Sequence, residues 1–157
     1  MTSKWSGTAW ETARSILIPN VGFLLDTNVL SEVQKSRPNQ NVLGFLGRTG
    51  PLRSFISVLS FGELRKGVAS RGRHDARAAD ALSRWVDRLE VDYASRVLGV
   101  NQEIARIWGE ISSDRTRPAI DTLLAATAIH HRLTFVTRNL RDVEDLPVIS
   151  VDPWETE

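Results

Sequence analysis

Short apolar runs alternate along the chain with longer segments of helical period. Residues 22–25, Ser54–Ser57, 96–100, 134–137 and 148–151 are the apolar runs, and turn residues or charges bound them, so each predicts a strand. Helices are predicted over 28–35, stopped before Pro38; over 41–47, carrying Val42, Phe45 and Leu46; and over 58–68, with Leu59, Leu64 and Val68 inward. Ala78, Leu82, Trp85, Val86 and Leu89 mark a longer helix over 74–89. Asn101 caps another that runs to about 113 and turns Ile104, Ile107, Trp108 and Ile111 inward. Pro118 suits the first turn of the last helix, which reaches 131 and is rich in Leu and Ala, as a central helix is. Strands alternating with helices predict a parallel sheet covered on both faces. Arg71-Gly72-Arg73 is expected to be the mobile loop.

The first twenty residues stand apart. Pro19-Asn20-Val21-Gly22 is a turn-like break, and Trp10, Ala13 and Leu17 can share one helical face. Residues 1–20 are read as an N-terminal extension without chemistry, ahead of a single domain over 21–157. A net charge of +1 gives no global basic field, so nucleic acid would have to be held by a local patch. The absence of cysteine removes thiol chemistry and cysteine-ligated zinc, and three histidines are thin material for a histidine site. Carboxylates instead favour hard ions such as magnesium or manganese. No apolar stretch approaches the ~20 residues that cross a bilayer. Lys4 with Ile16-Leu17-Ile18 makes no secretory signal, so a cytoplasmic protein without membrane contact is expected.

Against that pattern three acids are out of place. Asp26 follows Phe23-Leu24-Leu25 directly, and a buried strand cannot take up that charge, so it belongs at the carboxyl edge of the sheet. Glu63 lies on the helix after the second strand, and Asp121 opens the Leu/Ala-rich helix among Ile120, Leu123 and Leu124. Each also has a structural reading. Asp26 can be a helix cap, Glu63 can complete a capping box with Ser60, and Asp121 can complement a helix dipole. Together the three would repel one another strongly unless a cation sat among them. Such a cluster suits metal-assisted attack of water on a phosphodiester. Past the fourth strand, Asn139 can reach the same edge and Asp142 lies one turn further, so Asn139 is expected to matter more. Thr27, Asn28 and Thr137 are supporting donors.

These segments resemble the motifs of PIN-domain ribonucleases. The resemblance is carried by Leu24-Leu25-Asp26-Thr27-Asn28, by Ser57 through Gly67 around Glu63, by Asp121 through Ala128, and by Thr137-Arg138-Asn139 with Asp142. Asp152-Pro153-Trp154 resembles the close of the VapC and FitB-like toxins, and the motifs keep their order over residues 22–154. The resemblance implies a three-layer α/β/α sandwich on a mostly parallel sheet. It implies a magnesium- or manganese-dependent endoribonuclease that leaves a 5′-phosphate and a 3′-hydroxyl. That enzyme would be the toxin of a type II pair, inhibited by a VapB-like antitoxin, and a homodimer.

The family's acids map onto Asp26, Glu63 and Asp121 as metal ligands. Asn139 stands at the fourth catalytic position, often Asp in the family, with Asp142 as a secondary acid. Arg117 and Arg138, each beside a motif, are the favoured phosphate contacts. A silent PIN-like binding module and a haloacid-dehalogenase-type phosphatase are the alternatives. The latter wants a general acid where this chain has Asn28.

Overall fold

The computed structural model describes residues 22–155. The extension expected over 1–20, with its Trp10, Ala13 and Leu17 face, lies outside the described residues. Five strands, β1 (Phe23–Leu25), β2 (Ser54–Ser57), β3 (Val97–Leu98), β4 (Thr134–Val136) and β5 (Ser150–Val151), form one sheet in the order β3-β2-β1-β4-β5. Every pairing is parallel. Strand order reverses direction between β1 and β4, so a crevice opens at their carboxyl ends, the place where open α/β sheets bind ligands.

The two-residue period of the strands divides the core in two. Leu24 and Phe135 point into one layer, with α5 (Gln102–Ile111) and α6 (Ala119–His131). Leu25, Ile56 and Val136 point into the other, with α1 (Thr27–Val33), α2 (Gln40–Thr49), α3 (Val58–Gly72) and α4 (Ala76–Asp92). The result is a three-layer α/β/α arrangement. Along α6, Leu124, Ala125, Ala126 and Ala128 are all buried, which makes it the central helix its composition predicts. Trp108 packs against the first layer and Trp85 against the second. On α1 and α2, Val29, Leu30 and Val42 are buried, and Phe45 and Leu46 pack against the same cluster.

Local details differ from the sequence pattern. Helix α3 continues through Gly72, so most of the expected mobile loop is helical. Packing decides this: α3 and α4 lie against each other, and Arg65 of α3 donates to Asp87, Glu90 and Ser83 of α4. The cap of α3 is Ser57, whose Oγ accepts from the Leu59 N–H at 3.1 Å. Ser60 is inside the helix and buried, so it forms no capping box with Glu63. The edge strands β3 and β5 are two residues each, shorter than their apolar runs. An edge strand is paired on one side only, so its ends have less to hold them.

Candidate active site

The ladder between β1 and β4 pairs Leu25 with Val136, which leaves Asp26 and Thr137 side by side just past the strand ends. Asp26 is 3% exposed. Its backbone N–H still donates to the Val136 carbonyl at 2.9 Å, extending the ladder by one bond. The buried carboxylate is surrounded by donors. Oδ1 accepts from the Thr27 N–H at 2.7 Å, which caps α1. Oδ2 accepts from Thr137 Oγ1 at 2.7 Å and from Asn28 Nδ2 at 3.0 Å. Asp26 is therefore a helix cap whose carboxylate also lies at the carboxyl edge of the sheet, so the two readings of the sequence are not exclusive. Burial raises its pKa above the ordinary value, the Glu63 charge adds to the rise, and the three donors pull against it.

Glu63 reaches the same edge from α3. Its Oε1 accepts from Thr27 Oγ1 at 2.6 Å, so Thr27 ties the first acid's helix to the second acid's side chain. Asp121 comes from the first turn of α6 and is half-buried. Its pKa is pushed up to about 6, first by burial, then by the charges of Asp26, Asp142 and Glu63, and by a hydrogen bond with Asp142. A hydrogen bond between two carboxyls requires a proton on one of them. The four acids thus act on one another, and at neutral pH this edge is one where negative charge is under strain.

Asp142 and Asn139 arrive differently. Asp142 ends a short 3-10 turn (Leu140–Asp142) and touches Asp121. Asn139 precedes that turn and is exposed; its backbone N–H donates to Thr137 Oγ1 at 3.0 Å. Thr137 is therefore a hub: its hydroxyl serves Asp26, accepts from Asn139, and stands 3.4 Å from Asn28 Nδ2. Asn28 and Thr137, singled out as supporting donors, hold that role.

The two favoured arginines part company. Arg138 is exposed at the rim, its N–H donating to Asn28 Oδ1 at 3.4 Å. Arg117 is drawn inward: its side chain is 1% exposed and bridges Asp114 at 3.0 Å and Asp145 at 2.9 Å. It ties the segment before α6 to the loop before β5, and its guanidinium has no open face to offer a phosphate. The partner at Asp145 is 28 residues away in sequence, out of reach of any local pattern.

Among the described residues no group of three or more His, Asp or Glu is gathered tightly enough to hold a metal ion outright. The donor chemistry still fits magnesium or manganese. The set is all oxygen, it carries excess negative charge, and these ions keep several waters and need only one or two direct carboxylates. An open groove of about 770 Å³ beside α2 and β5, lined in part by Asn41, Phe45, Arg48, Leu140 and Asp152, does not include the acids. Asp26, Glu63, Asp121 and Asp142 gather at the sheet edge rather than in that groove.

Comparison with known proteins agrees with this geometry. The PIN domain family model matches residues 23–147. Toxin FitB of Neisseria gonorrhoeae is 31% identical over 138 residues, 83% of this chain and 97% of its own. VapC ribonuclease Y4jK of Sinorhizobium fredii is 28% identical over 141 residues, 84% of this chain and 97% of its own. In the crystal structure of FitAcB from Neisseria gonorrhoeae, one chain matches with a TM-score of 0.79 at 29% identity, covering 85% of this chain and 99% of that one.

Proposed function

Because this chain belongs to the PIN-domain family, alongside the FitB and VapC toxins, we propose that it is a metal-dependent endoribonuclease, the toxin of a toxin–antitoxin pair. The observation that carries this reading is the strain on Asp121. Three other acids press on one carboxyl at the carboxyl edge of β1 and β4, an arrangement a purely structural cluster would have no reason to keep.

Asp26, Glu63 and Asp121 would hold magnesium or manganese, with Asp142 at the margin. When bound, the ion supplies positive charge to the phosphate and lowers the pKa of water. The chain's own residues do the positioning. Thr137 and Asn28 fix the Asp26 carboxylate, Thr27 fixes Glu63, and Arg138 offers a cation to the RNA backbone. Asp142 stands beside Asp121 and adds its negative charge to the edge. A VapB-like antitoxin would inhibit the enzyme by covering this acidic edge. A homodimer rests chiefly on the family resemblance: Val29, Leu30, Val42, Phe45 and Leu46 of α1 and α2 pack into the chain's own core, and Val33 is left exposed.

The deciding experiment incubates purified chain with single-stranded RNA and magnesium, with Asp26→Asn as the control. Cleavage by the native chain and none by the variant is expected. RNA left whole by the native chain, freed of any co-purified partner, would leave a silent binding module as the better account.

A finer expectation concerns the fourth acid. Asp142→Ala should lower the single-turnover rate by roughly 10-fold, as loss of a carboxylate's hydrogen-bonded neighbour commonly does. Asn139→Ala should change it by no more than about 2-fold, because its contact with the site is through the backbone. This reverses the ranking that spacing alone suggests. An inactive Asn139→Ala beside a normal Asp142→Ala would restore the sequence-based order.

A further inference from the structure

We propose that Trp154 is a positioning residue for RNA: its indole face holds the Arg138 guanidinium at the rim of the acid cluster, where that cation grips a phosphate of the substrate strand. The proposal rests on the ribonuclease reading above and adds a part to it. Arg138 follows Thr137, which bonds Asp26, and its own N–H is tied to Asn28, which bonds Asp26 as well. Its backbone is thus fixed within one residue of the site. Its side chain has no carboxylate in an ion pair among the described residues. The acid whose pKa senses it, Glu32, is already occupied, accepting from Lys35 Nζ at 2.5 Å and from the Asn39 N–H at 2.8 Å.

What the guanidinium touches instead is Trp154, with Cζ 5.1 Å from the ring centroid. That ring is a fixed platform. The Trp154 N–H donates to Asp152 Oδ1 at 2.8 Å, its carbonyl accepts from Asn41 Nδ2 at 2.9 Å, and it packs against the second core cluster. Stacking uses the face of a guanidinium and leaves the N–H groups along its edge free. A long side chain that would otherwise sample many rotamers is held in place before substrate arrives, which removes part of the ordering cost of binding. Arg65 and Arg117, by contrast, have their edges filled by carboxylates. A cation without an ion pair among the described residues, set over a ring beside an acidic edge, is arranged for an anion that has yet to come.

The test measures binding of a short single-stranded RNA in an Asp121→Asn background with chelator, over a range of salt. Arg138→Ala should weaken binding about tenfold, as loss of a charge-assisted hydrogen bond does, and should reduce the salt slope by about 0.7, the value for one single-strand phosphate contact. Trp154→Leu should reproduce most of the loss and the same change of slope. Trp154→Phe, which keeps a ring face, should restore both. The Arg138→Ala/Trp154→Leu pair should bind no worse than Arg138→Ala alone. In active enzyme the single variants should raise KM and leave kcat within about twofold, since the contact is made equally in ground and transition states.

Additive losses, or a Trp154→Phe as weak as Trp154→Leu, would overturn the proposal and point to Trp154 packing or stacking on a base by itself. Unchanged binding in Trp154→Leu overturns it too. If the native chain neither binds nor cleaves RNA, it is the ribonuclease reading that fails, and the native control shows that separately.

Discussion

Asp121→Asn should lose RNA cleavage by on the order of 10²–10³-fold, the scale of removing one group that meets transition-state charge, and at the same time become more stable than the native chain. The two effects have one origin. Asp121 is ordinarily ionised at pH 7, yet burial and the charges of Asp26, Asp142 and Glu63 push its pKa from 3.8 to about 6. A carboxyl whose folded pKa lies above its unfolded one binds protons more tightly in the folded state. Folded stability then falls as pH rises between those two values, and the full penalty is present above about 6.

One pKa unit corresponds to roughly 1.4 kcal/mol. The residue is half-exposed, so solvent screening cuts the penalty to on the order of 1 kcal/mol. Asparagine carries no charge and removes it. In chelator at pH 7 the melting temperature should rise by about 2–4 °C, the shift that such an energy gives a domain of this size. The advantage should shrink as pH is lowered and be gone near pH 4, where the native carboxyl is itself protonated. A variant that is inactive and also several degrees less stable at every pH would make Asp121 a structural residue.

Asp26→Asn should be equally inactive without that gain. Thr137 and Asn28 both donate to Oδ2, and an amide NH₂ in that place would meet two donors. Asn28 cannot simply turn round, because its Oδ1 accepts from the Arg138 N–H. Relief of charge at this buried group is offset by the broken pairing, and its melting temperature should stay at or below that of the native chain. The contrast between two aspartates of one cluster is a sharper test than either alone.

Much of this was legible in the sequence because it is written locally. An acid directly after three apolar residues must lie at a strand end, and helical period fixes which face of α4, α5 and α6 turns inward. Alternation of strands and helices is enough to require parallel pairing. What depends on distant partners was not legible. Asp145 removes Arg117 from the surface, a pairing across 28 residues with no periodic trace. The contact of Asp142 with Asp121 depends on the 3-10 turn that carries Asp142, and turn geometry is not encoded in spacing. Trp154 belonged to a recognisable closing motif, but its contact with Arg138 exists only once β5 lies beside β4.

Removal of divalent metal should abolish cleavage altogether, and the pH dependence of metal binding should identify the group that holds it. Chelator in excess is expected to bring RNA hydrolysis to the level of Asp121→Asn, with magnesium or manganese restoring it. Before it binds, the ion must compete with the proton on Asp121, whose pKa is about 6. Above that value the carboxylate is already ionised and affinity should be nearly flat. Below it, each unit of pH should weaken binding by about tenfold, because one proton leaves for each ion bound. Metal should also raise the melting temperature of the native chain, since it binds the folded state and relieves the same repulsion that asparagine relieves. That gain should be largely absent in Asp121→Asn. The relevant measurements are calorimetric titrations from pH 5 to 8, about a unit beyond the shifted value at either end, alongside thermal melts with and without magnesium. Cleavage that persists in chelator, with Asp26→Asn clean, would remove the metal from the mechanism. An affinity that ignores pH across this range would instead keep the metal but place it away from Asp121.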